Sequence, residues 1–364
     1  MSRQFLKVIG MALVICSTGA AMAQNPAPAP ASAEPFIWQP GYIEPGLPRP
    51  PYVPPETPQG SGPHPAIMAA ETIGPGADFV SYYPANLSQL GGKKLPVLMW
   101  ANGSCLYVGN RTRHFLQDIA SHDYLVLAGG ELVVGDKAEE AENIDMSVNL
   151  RIPNPDPPPN PAGATGRGRG APATAQQQLD VSNTPAPNRV THELLDKGIN
   201  WAIAENKRAG SKFFGKLDTA NIAVMGTSCG GGVTGSFAGD PRVKTLGVWN
   251  SGFGTNAELR AKLNQPVLNI TGDPRYDTAF WGAIKGFEAM RDNNAKSPFF
   301  NAWRVNMVHM NTFRQTNGGE VSPIAIAWLD WQLKGDQNAS KMFTGPKCGL
   351  CTNTHYHIRR LNIN

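Results

Sequence analysis

Short apolar runs alternating with amphipathic stretches dominate the chain from about residue 78 onward. Residues 79–83 predict a strand, and 95–100 and 124–128 are continuously apolar, as strands buried on both faces are. Between them, residues 111–121 place Phe115, Leu116 and Ile119 on one side of a helix. Further along, helical spacing over 189–207, 278–292 and 322–333 alternates with strand-like runs at 221–225, 243–249, 266–271 and 303–308. Strands and helices in this order predict β-α-β crossovers, and so an α/β fold with a doubly wound, mostly parallel sheet in one domain spanning 66–364.

Two regions break the pattern, and composition explains why. The chain of 364 residues holds 39 Gly and 32 Pro, and the prolines concentrate in residues 24–65 and 149–187. The first region is expected to be a Pro/Ala-rich linker, although Trp38, Tyr42 and Tyr52 give it means to touch the domain. The second is a Pro/Gly-rich insertion, expected to be disordered or lid-like, because a loop this long inside a domain is uncommon without a function. Residues 1–23 have the form of a secretory signal. Arg3 and Lys7 precede an apolar run at 8–15 that is too short to span a membrane, and Ala21 and Ala23 form a small-x-small cleavage site before Gln24. The expected location is secreted or periplasmic, with no membrane span.

The net charge of +4 is too mild to point to nucleic acid, and the lone basic stretch, 166–170 with Arg167 and Arg169, lies in the insertion. Removal of the signal takes Cys16 with it and leaves Cys105, Cys229, Cys348 and Cys351. An even count in an exported chain favours disulfides, with three pairings open. No metal cluster has ligand spacing, and no cofactor is implied.

The chemistry centres on Gly226-Thr227-Ser228-Cys229-Gly230. The strand at 221–225 runs directly into it, and a helix of small residues follows. A sharp strand-turn-helix needs Gly on both sides of a strained serine, and it lifts that hydroxyl above the sheet edge. Ser228 is therefore the candidate nucleophile. A serine hydroxyl needs a base and an orienting acid, and in a fold that carries its serine on such a strand-turn-helix the chain order is Ser, acid, His. Of the downstream histidines, His309 follows a predicted strand and is the candidate base, whereas His355 and His357 alternate like residues of a C-terminal strand. The candidate acid is Asp277, with Asp273 the alternative. Each has a structural role to compete with, a helix cap for Asp277 and a turn for Asp273. The oxyanion donors are expected at the backbone of Cys229 and of Gly103 or Ser104 in the loop after 95–100. Trp100, Tyr276, Phe280 and Trp281 are candidates to line a substrate pocket, and each is also a candidate for core packing.

At 96–103, 226–231, 328–336 and the Cys348–Cys351 tail the chain resembles the α/β-hydrolase superfamily, and within it exported esterases of the dienelactone hydrolase and cutinase-like polyester hydrolase kind. It departs from the common pattern at Asn102, where many members carry His, and at Asp273-Pro274-Arg275-Tyr276 ahead of the acid. The resemblance implies hydrolysis of a small-molecule or polymeric carboxylic ester through an acyl-enzyme. It also implies that the loops bearing Cys105 and Cys229 share one sheet end, so that Cys105–Cys229 and Cys348–Cys351 are the expected disulfides. A polyester or cutin-type depolymerase, an amidase or peptidase with the same triad, and a non-catalytic binding protein of the same fold are the alternatives. The oligomeric state is left open.

Overall fold

In the computed structural model, residues 52–135, 189–253, 255–309 and 312–364 are described. The expected signal, most of the linker and the whole 149–187 insertion lie outside them. The described chain is built on one sheet. Its strands are β1 (Ala66–Thr72), β2 (Asp78–Pro84), β3 (Leu95–Ala101), β4 (Leu125–Gly129), β5 (Leu217–Thr227), β6 (Val243–Trp249), β7 (Val267–Thr271), β8 (Phe299–Arg304) and β9 (Tyr356–Leu361). They lie in the order β1-β2-β4-β3-β5-β6-β7-β8-β9. The six strands from β4 through β8 run parallel, and antiparallel pairs close both edges.

Helices cover both faces, which explains the unbroken apolar runs. On one face Leu98, Trp100, Ala223 and Met225 pack with α1 (Arg113–Ser121) and α6 (Val321–Lys334). On the other, Val97, Met99, Ile222 and Val224 pack with α2 (His192–Glu205), α3 (Cys229–Gly235), α4 (Ala257–Lys262) and α5 (Phe280–Asp292). A short α7 (Gln337–Ser340) follows α6. Trp328, fully buried, donates from Nε1 to Thr245 Oγ1 at 2.8 Å, so the largest side chain of α6 enters the core with its polar atom satisfied.

The strand order places the functional region. After β3 the chain turns outward through α1 to β4, then crosses back through α2 to β5 on the other side of β3. Beyond β5 every parallel step runs toward β8. Neighbouring β3 and β5 thus send their connections in opposite directions, which opens a crevice at their carboxyl ends. Both the Gly103 loop and the Ser228 turn emerge there.

Two expectations change and one strand is added. The strand placed at 303–308 lies at Phe299–Arg304, because the buried residues Phe299 to Ala302 pair with β7. Ala-rich β1, which has few β-branched residues, escapes a propensity reading, yet it pairs with β2 along its whole length. Residues 52–65, assigned to the linker on composition, lie along α1. The side-chain amide of Gln117 donates to Ala66 O at 2.6 Å and to Thr57 O at 3.2 Å. The Arg113 guanidinium sits over the Tyr52 ring at 5.3 Å. Proline removes backbone donors but leaves acceptors, and α1 supplies the donors.

Asp118 joins this segment to the core. Its buried carboxylate accepts from Ser61 N–H at 2.7 Å and from Ser322 Oγ on α6 at 2.6 Å. Asp118→Ala leaves both donors without an acceptor and is expected to cost about 2–4 kcal/mol, measured as a lower midpoint in urea unfolding. A shift under about 0.5 kcal/mol would show that the contact does not hold the segment.

Candidate active site

The Ser228 turn follows β5 without a break. Ser228 is half-buried and takes φ 54°, ψ −118°, a conformation that a non-glycine residue rarely adopts. Its N–H donates to Trp249 O, the last residue of β6, at 2.8 Å. Close packing explains the flanking glycines. A Cβ on Gly230 would stand 2.0 Å from Ala101 O, and one on Gly226 would stand 2.4 Å from Gly230 O. The first turn of α3 therefore presses directly on the end of β3 and the loop beyond it.

That loop carries Gly103 and Ser104. Ser104 and Cys105 both take positive φ, at 56° and 51°, so the chain curls tightly above the sheet. Among the described residues neither the Gly103 nor the Cys229 N–H donates to another backbone group. Gly103 is buried and the Ser104 side chain is exposed. A disulfide joins Cys105 to Cys229 across the two loops, and a second joins Cys348 to Cys351. Asn102, where the resemblance departs from its pattern, has a clear task. It accepts from Trp100 Nε1 at 2.9 Å, and its amide donates to Val108 O at 2.8 Å and to Gly129 O at 3.1 Å. It ties the loop to the end of β4. Arg111 lies below the loop, 1% exposed, and donates from Nη1 to Gly103 O at 3.5 Å. Burial first, and then the charge of Arg314, lowers its guanidinium pKa to about 10.

The structure brings His309 to Asp277 and not to Asp273. His309 Nδ1 is 2.8 Å from Asp277 Oδ1. Asp277 has no exposed surface, and every one of its partners is a donor. Oδ1 also accepts from Ala279 N–H at 2.9 Å, and Oδ2 accepts from Gly272 N–H and from Asn250 Nδ2, both at 2.8 Å. Burial pushes this carboxyl up, but the His309 bond and charge, with the Asn250 and Gly272 donors, hold it below the ordinary value. The carboxylate is thus the acceptor, and His309 carries a proton on Nδ1.

Asp273 has another task. It forms a two-pronged ion pair with Arg275, at 2.9 and 2.8 Å, and accepts from Asn306 N–H at 2.9 Å. Its own N–H donates to Met307 O at 2.9 Å. Asp273 clasps the loop after β7 to the loop after β8, which brings His309 beside Asp277. Burial raises its carboxyl and the Arg275 and Asn306 bonds lower it, with a net shift downward.

The aromatic candidates separate. Trp100 is a correction: it is fully buried, its ring 5.3 Å from Phe115 and 5.8 Å from Phe313, and it fills the α1-side core rather than a pocket. Phe280 is also buried, edge-on to Trp281 and Trp303. Trp281 is 42% exposed at the start of α5. Tyr276 is half-buried beneath the Arg275 guanidinium. His355 and His357 are exposed at β9, and His357 stacks on Trp303 at 5.0 Å. Sequence reasoning missed Asn250. It follows β6, takes φ 46°, and is 2% exposed. The one available signal was an Asn at a strand end, where left-handed backbone favours Asn.

The packing at the turn can be tested with two adjacent glycines. Gly230→Ala is expected to lose about 1–3 kcal/mol, whereas Gly232→Ala, with no atom within 4 Å of its added Cβ, should gain about 1 kcal/mol. Urea unfolding reads both, and equal effects would contradict the packing. Acid sensitivity follows from the two depressed carboxyls. A folded pKa below the unfolded one gives stability that is present above the ordinary value of 3.8 and lost as pH falls through the folded value. The melting temperature should drop below about pH 4, and less steeply in Asp273→Asn; an equally steep drop in that variant would count against the clasp.

No protein-family model matches the chain, and no curated protein matches it either.

Proposed function

We propose that the protein is a serine hydrolase with the α/β-hydrolase fold that cleaves carboxylic esters. The observation that carries the reading is the buried Asp277–His309 bond of 2.8 Å. It stands at the same edge of the parallel sheet as Ser228 on its positive-φ turn. In this reading His309 Nε2 takes the proton of Ser228 Oγ as that oxygen attacks the ester carbonyl. Asp277 holds the imidazole in the required tautomer and stabilises the imidazolium. The Cys229 and Gly103 N–H groups receive the negative charge that develops on the carbonyl oxygen. His309 then protonates the leaving alcohol, and water activated by the same ring releases the acid. The two disulfides support action in an oxidising compartment outside the cytoplasm.

A fluorophosphonate should label Ser228, and Ser228→Ala should abolish both labelling and turnover. Folded protein that resists labelling would mark a non-catalytic relative of the fold. On a p-nitrophenyl ester, Asp277→Asn should lower kcat by about 10³–10⁴-fold. Asp273→Asn should cost far less at a temperature where it stays folded. The reverse ranking would reassign the acid. Esters of rising chain length, tested beside an anilide, separate small-ester, polyester and amide substrates.

A further inference from the structure

Asn250 is a buried polar residue that the proposed chemistry does not use. It sits between the two halves of the site. The residue before it, Trp249, accepts the Ser228 N–H through its carbonyl at 2.8 Å. The Asn250 N–H donates to Ile270 O on β7 at 2.7 Å, and its side-chain amide donates to Asp277 Oδ2 at 2.8 Å. One dipeptide at the end of β6 therefore holds the serine turn by one residue and the acid by the next. The backbone takes φ 46°, at which Asn is tolerated and most side chains are strained.

The chemistry of the contact is specific. His309 and the Ala279 N–H occupy Oδ1, so Oδ2 is left to the Gly272 N–H and Asn250. Without Asn250, Oδ2 would keep the Gly272 N–H alone, and one of the four donors that resist rotation about the Cβ–Cγ bond would be lost. Such a rotation would break the in-line bond to the imidazole. We propose that Asn250 is a positioning residue: it locks the rotation of the Asp277 carboxylate and couples it to the Ser228 turn through β6. This rests on the serine-hydrolase reading, because it assigns Asn250 a role in tuning that triad. The titratable group bonded to Asp277 is His309, from the loop after β8.

The test uses Asn250→Gly, which keeps the positive φ and removes the amide, and Asn250→Asp, which keeps both the φ and the shape. Asn250→Gly should lower kcat on the order of 10–100-fold with KM unchanged. In an Asp277→Ala background the same change should cost less than about twofold, since a residue acting through Asp277 has nothing left to position. Relative to the wild type at the same pH, Asn250→Asp should keep most of the activity as long as the two carboxyls share one proton, which the introduced carboxyl donates to Asp277 Oδ2. It should lose that activity through a new limb as pH rises and the shared proton leaves. Equal losses in both backgrounds, or no loss in Asn250→Gly, would overturn the proposal. Proton NMR of the full chain gives a readout that does not depend on turnover: the His309 Nδ1–H resonance should be sharp and downfield in the wild type and broadened in Asn250→Gly. An unlabelled, inactive wild type would sink the hydrolase reading and with it the catalytic role of Asn250, while an unchanged resonance in a protein whose wild type is labelled and active would sink the role of Asn250 alone.

Discussion

A carboxylate with no access to water must find its solvation in the chain. Asp277 finds it in four donors from three separate segments: the loop after β6, its own turn after β7, and the loop after β8. Ionised carboxylates are costly to bury, and only a full set of donors offsets that cost. The requirement explains much of the local structure. Gly272 cannot carry a side chain, because a Cβ there would stand 2.3 Å from Met307 O and 2.9 Å from Asp277 Cβ. Asn250 must accept a left-handed backbone. The β7 and β8 loops must be fastened to each other, and the Asp273–Arg275 pair fastens them, with Asn306 the shared partner of both side chains.

The serine side of the site is built on a different principle. There the constraint is crowding rather than solvation. β3, β5 and α3 meet so closely that backbone touches backbone, and the Cys105–Cys229 disulfide ties the loops that result. The acid side holds a charge in place with donors, and the serine side holds two N–H groups in place with contacts. β6 belongs to both sides, since its last carbonyl and the residue after it serve one each. Preorganised dipoles cost no reorganisation when charge develops, and for a hydrolase that is where most of the rate acceleration originates.

How far the sequence reveals this differs by element. The strand-turn-helix around Ser228 is legible because its signal is local: an apolar run, a serine between glycines and a train of small residues all fall within one short stretch. The cysteine pairs follow from the fold that such a turn implies. The choice between Asp273 and Asp277 is not local, because both stand in the same turn and both are good caps. Only the approach of the β8 loop separates them, and that loop begins after Arg304, earlier than apolar content suggests. Trp100 illustrates the opposite difficulty. An aromatic at a strand end near the site reads equally well as pocket or core, and the side of the sheet it faces decides for the core. Asn250 left almost no trace, since one Asn among many carries no periodicity.

The 105–109 loop adds a constraint that reaches beyond the site. The Gly109 N–H donates to Glu131 O at 2.8 Å, and the Val190 N–H donates to Cys105 O at 2.9 Å. Leu106 pairs with Arg189 and Val108 with Glu131 as isolated bridges, and the Arg189 guanidinium lies 3.6 Å from Cys229 Sγ. Glu131 and Arg189 stand on either side of the stretch 136–188, which lies outside the described residues and contains the 149–187 insertion. The described residues on both sides of that stretch are therefore bonded to the segment that carries Cys105 and leads from Gly103. Loop-closure entropy rises only slowly with length, so an insertion costs little wherever its ends are already held together. Here the ends are held by the loop that the proposed chemistry requires to be rigid.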